Sequence, residues 1–125
     1  MVNTVAKCLG AILLLVGIGS LFFGANSVNG LLSARPEEIT MHFFTGGVLV
    51  LAGIARSRTA PLIAIAIINP IFLALAITYF AFPGSSMAEA SPLHEVMRLV
   101  IGLIGLATVL VRVVVGRSRE SLELK

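Results

Sequence analysis

The side chains best suited to chemistry fall at two matching places in the chain. Glu38 and His42 stand four residues apart, His94 and Arg98 do likewise, and Glu95 precedes Arg98 by three. Residues three or four apart share a helix face, so each set presents its groups to one side, and Glu95 and Arg98 can pair within one helix. Aromatic residues gather at the same end: Phe22, Phe23, Phe43, Phe44, Tyr79, Phe80 and Phe82, with Phe72 alone placed centrally. The candidate ligand-binding residues are therefore Glu38, His42, Tyr79, His94, Glu95 and Arg98. Together they could wall an outward-facing pocket for a small amphiphile, such as a lipid or a quinone. They also suit an interfacial aromatic belt beside a solvated polar rim. No cofactor is assigned; haem ligated by His42 and His94 is the alternative. The chain has no nucleotide-binding loop, nucleophile elbow, metalloprotease motif or cysteine cluster. No catalytic residue and no metal ligand is assigned, and Cys8 reads as a small apolar residue.

What must position these groups follows from composition. Of 125 residues, 58% are hydrophobic and 12% charged, and the mean hydropathy is +1.05. A soluble domain this small could not hide so much apolar surface. The net charge of +3 does not point to nucleic acid, because most basic residues sit at the ends of apolar runs, where they set orientation in a bilayer.

Four such runs occur, at about 5–24, 39–55, 60–82 and 93–115. About 20 apolar residues cross roughly 30 Å of hydrocarbon as a helix. Backbone groups in lipid must be satisfied within the segment, so long runs without alternation read as helices. The first run lacks a small-x-small cleavage site, Phe23 standing where a small residue is wanted, and reads as a retained helix. The expected fold is all-α: one polytopic domain over 1–125, a bundle of four transmembrane helices in antiparallel up-down order. The connection at 56–59 is very short, and 116–125 reads as a charged tail. Lys7, Arg56, Arg58, Arg112, Arg117, Arg119 and Lys125 lie on one side, and Arg35 and Arg98 on the other. Both termini are then cytoplasmic, while Glu37, Glu38, Glu89 and Glu95 lie outside.

Within the bundle, close contact needs small residues, since lipid gives no hydrophobic drive between helices. Gly10, Gly17 and Gly24 recur every seven residues, and Gly46 and Gly53 repeat that spacing; Gly102 and Gly105 form a shorter notch. The first two spans should meet along these stripes. In the third span Asn69-Pro70 marks a midplane polar site and an expected kink. The Asn69 amide should bond a neighbouring helix or the carbonyls that Pro70 frees. A shift of 52 places His42 on His94 and Gly53 on Gly105, a weak sign of duplication.

The outer Glu/His opening of the second span, the stretch HFFTGGVLVLAG and the closing LHEVMRLVIGLIGLA resemble the small DoxX-like bacterial membrane proteins over nearly the whole chain. That resemblance implies a four-helix bundle in the cell inner membrane and carries over no catalytic residue. Small multidrug exporters fit less well, for they need an acid in the first span. Fluoride channels also fit less well, for their third span is rich in Thr, Ser and Phe where this one reads PLIAIAIINPIFLALAITYF. The expected role is non-enzymatic: an accessory or scaffold subunit packing with itself or a partner membrane complex. The alternative is a binder or carrier of a small amphiphile. A reporter enzyme active only outside the cytoplasm, fused after Lys125, should stay inactive; activity there would reverse the orientation.

Overall fold

The computed structural model describes residues 1–23, 35–83 and 92–125. The described chain is all-helical: α1 (Val2–Phe23), α2 (Pro36–Ile54), α3 (Ala60–Ala81) and α4 (Pro92–Glu123). Gly24 and Glu89 lie outside the described residues. Pro36, Pro61 and Pro92 each sit in the first turn of a helix, where a missing N–H costs nothing and the fixed φ suits the helix. In the short connection the Ser57 hydroxyl accepts hydrogen bonds from the backbone N–H groups of Thr59 and Ala60, both at 3.2 Å. It thereby caps the start of α3.

α1, α3 and α4 are each long and apolar enough to cross a membrane. Ile63, Ile67 and Ile71 form a stripe on α3 that is more than half exposed, and Leu15, Leu21, Phe22 and Leu110 extend similar surface over α1 and α4. Apolar patches of this extent are not left to water in a stable monomer. The hydroxyls of Thr40, Thr45, Thr78 and Thr108 each donate to the carbonyl four residues earlier, so they need no water.

The helices associate mainly as two pairs, α1 with α2 and α3 with α4. The short connection joins α2 to α3, yet those two helices meet less extensively. Backbone proximity explains the pairing. A methyl group placed on Gly10 would lie 2.7 Å from the Gly46 carbonyl oxygen, and one on Gly46 2.9 Å from that of Gly10. A methyl on Gly53 would press on Lys7 and Asn3, and one on Gly17 would touch His42 and Phe43. These contacts run in opposite directions along α1 and α2. In the second pair, Gly102 receives Leu73 and Gly105 receives the Asn69 amide, again antiparallel. Between the pairs lies a shared core of Leu9, Leu13, Leu49, Ile65, Ile68, Phe72 and Ile101.

One feature differs from the sequence reading. α4 continues through 116–123, which the sequence presents as a charged tail; it has 32 residues and is about 48 Å long by the usual rise per residue. Loss of hydrophobicity marks where lipid ends, not where helix ends. Arg, Glu and Leu there are good helix formers, and Ser118 bonds back to Val114. α3 is helical on both sides of Pro70, whose missing N–H leaves a carbonyl one turn back without its helical donor.

Replacing Gly46 by leucine should lower the unfolding stability of the purified protein by about 1–3 kcal/mol, the usual cost of overpacking. Gly47 has nothing within 4 Å of its Cβ direction, so Gly47→Leu should leave stability unchanged. Equal effects in thermal unfolding would refute the packing described.

Candidate polar cavity

Both sets of chemically competent residues lie in the first two turns of α2 and α4. Glu38 falls in the first turn of α2, and Glu95 in that of α4. The free N–H groups and the dipole at a helix start favour a carboxylate there. His42 and Arg98 follow one turn on from Glu38 and His94 and share their faces. Because α2 and α4 belong to different pairs, their polar faces meet across the bundle.

The result is a buried charged cluster. Arg98 donates from one terminal nitrogen to Glu95 Oε1 at 2.7 Å and reaches Glu38 Oε1 with the other at 3.4 Å. His94 Nε2 lies 3.8 Å from Glu38 Oε2. The His42 ring meets that of His94 edge-on, with centroids 5.1 Å apart, and packs against Phe72 on another side. His42 Nδ1 is bonded to the Glu38 backbone carbonyl at 2.5 Å. Since a carbonyl only accepts, Nδ1 carries the proton and Nε2 presents its lone pair in the neutral ring. Arg98 is 6% exposed and Glu95 1%. An ion pair this buried holds only if its partners stay together.

Beside the cluster is a cavity of about 210 Å³, lined by Arg35, Glu37, Glu38, Met41, Leu75, Glu95 and Arg98. At its rim Arg35 pairs with Glu37 at 2.7 Å and approaches Glu38 at 3.8 Å. Met41 and Leu75 form the apolar wall. Three buried atoms of lining residues have no hydrogen-bond partner among the described residues: Glu38 Oε2, Glu95 Oε2 and Arg98 Nε. Such orphan groups are rare in native interiors and costly.

The structure thus brings together Glu38, His42, His94, Glu95 and Arg98. Tyr79 stands apart: it is half-buried and packs on Phe80, with ring centroids 5.2 Å apart, and it is not among the lining residues. Phe22, Phe23, Phe44, Phe80 and Phe82 face outward, so the aromatic residues do not wall the cavity. Phe72, central by sequence, is the one against His42. Arg35, Met41 and Leu75 were not legible as site residues. Arg35 had a signal, its position three before Glu38; the two apolar residues had none. Asn69 donates to the Ile101 carbonyl of α4 at 2.6 Å, so it bonds a neighbouring helix, away from the cavity.

A bis-histidine haem needs a slot as wide as the macrocycle between its two ligating rings. Here the imidazoles touch each other, each 1% exposed, and that arrangement does not suit haem. Among the described residues no three His, Cys, Asp or Glu groups are placed to hold a metal ion. No family model, curated protein or solved structure matches the chain.

Proposed function

We propose that this is a polytopic inner-membrane protein that binds a small polar-headed amphiphile in the cavity between α2 and α4. In this reading all four helices cross the bilayer in up-down order with both termini in the cytoplasm. Support for a spanning α2 comes from its packing on α1 along most of its length, from Gly17 against His42 to Gly53 against Asn3. Seven of the nine basic residues, at one end, support the orientation, and the DoxX-like resemblance agrees with the compartment.

The observation that carries the binding role is a cavity whose walls hold buried charges with unused hydrogen-bonding atoms beside an apolar strip. Ligand sites commonly combine these features, a few convergent polar groups in an apolar recess. The cavity could take a polar head, with its apolar stem against Met41 and Leu75. The accessory or scaffold role rested on abundant helix-packing glycine beside the absence of a catalytic set. In the structure Gly10, Gly17, Gly46, Gly53, Gly102 and Gly105 all pack against helices of the same chain, so they add no support of their own for an outside partner, whereas the cavity supports a ligand.

Native mass spectrometry of protein extracted from membranes tests the proposal. Wild type should carry a small copurified amphiphile, and Arg98→Ala should lose it. Leu75→Trp, which fills the cavity while keeping every charged residue, should lose it too. Identical occupancy in all three proteins would discard the binding role.

A further inference from the structure

Resting on that binding role, the lining of the cavity points to a more specific ligand: we infer that its head is an organic cation, a primary ammonium on a short apolar stem. The argument is one of charge and hydrogen-bond valence. At the rim Arg35 pairs with Glu37 at 2.7 Å and stands 3.8 Å from Glu38. Further in, one guanidinium, Arg98, faces two buried carboxylates, Glu38 and Glu95, and the His94 imidazole, 3.8 Å from Glu38, adds no fixed charge when neutral. The lining as a whole holds three carboxylates and two guanidiniums. A surplus buried carboxylate is expensive unless a cation meets it.

The unused valences lean the same way. Glu38 Oε2 and Glu95 Oε2 are buried acceptors without a hydrogen-bond donor among the described residues, against one unused donor, Arg98 Nε. An ammonium supplies three donors and a positive charge. A carboxylate head would add an anion to a surplus of anions. A quinone offers only acceptors, which Arg98 Nε alone could meet. His42 and His94 do not line the cavity. Size narrows the choice further. Sites for drug-sized ligands run from about 300 to 1,000 Å³, and at about 210 Å³ this one suits a compact head and the first part of a chain lying along Met41 and Leu75.

Three probes with one tail and different heads decide the matter: tritiated octylammonium, octanoate and octanol, each tested for saturable binding to wild-type protein in a neutral maltoside detergent. Octylammonium should bind saturably and resist displacement by the other two. Leu75→Trp, checked for wild-type elution, should weaken it at least tenfold, and Glu95→Gln likewise. Saturable binding of octanoate or octanol in its place would overturn the cationic head while leaving a ligand cavity standing. Absence of saturable binding by all three would overturn both. The comparison of probes needs only the wild type, so it decides even where a variant fails to fold.

Discussion

The arrangement depends on one guanidinium held between two carboxylates. Arg98 reaches Glu95 on its own helix and Glu38 on α2, and so ties together two helix pairs that also meet through the His42–His94 ring contact and an apolar core. In a bilayer this tie has no inexpensive alternative. An unpaired guanidinium one turn inside the apolar region must snorkel out or find an anion; here it is buried and has found two. The constraint also works backwards on sequence. It places a carboxylate in the first turn of both α2 and α4, where the helix dipole already favours negative charge.

Everything else brings those helix starts to one place. The glycine contacts at Gly10, Gly46 and Gly53 set α1 and α2 at a fixed register, which puts His42 beside Gly17. In the other pair, Gly102 and Gly105 receive Leu73 and Asn69, and the Asn69 amide bonds Ile101. Each pair therefore has a histidine near the start of its second helix and a packing glycine further along it, Gly53 after His42 and Gly105 after His94. The two histidines related by the shift of 52 end up ring against ring. The cavity is the space left beside this junction, where charged side chains on α2 and α4 meet apolar walls from Met41 and Leu75.

Much of this was legible in the sequence, for physical reasons. Hydropathy marks helices that face lipid, and the short spacings of Glu38, His42, His94, Glu95 and Arg98 place them on helix faces at one end. Hydropathy is blind to a helix that continues into water, which is why α4 beyond Val115 read as a tail. The aromatic residues misled because their type says where they sit in depth but not whether they point inward or outward: Tyr79 and Phe80 share the site's level and not its interior. Leu75 has no signal of its own, since one apolar residue on an apolar helix looks like any other. Arg35 was visible as a charge, but its place at the rim depends on how α2 starts.

A double-mutant cycle on Glu38→Gln and Arg98→Met, read by unfolding in mixed micelles, tests most directly whether this ion pair joins the two helix pairs. The structure predicts coupling: the double variant should be less destabilised than the sum of the singles, by about 0.5–3 kcal/mol, the usual range for contacting residues. Additivity to within about 0.3–0.5 kcal/mol, as expected for independent sites, would contradict it.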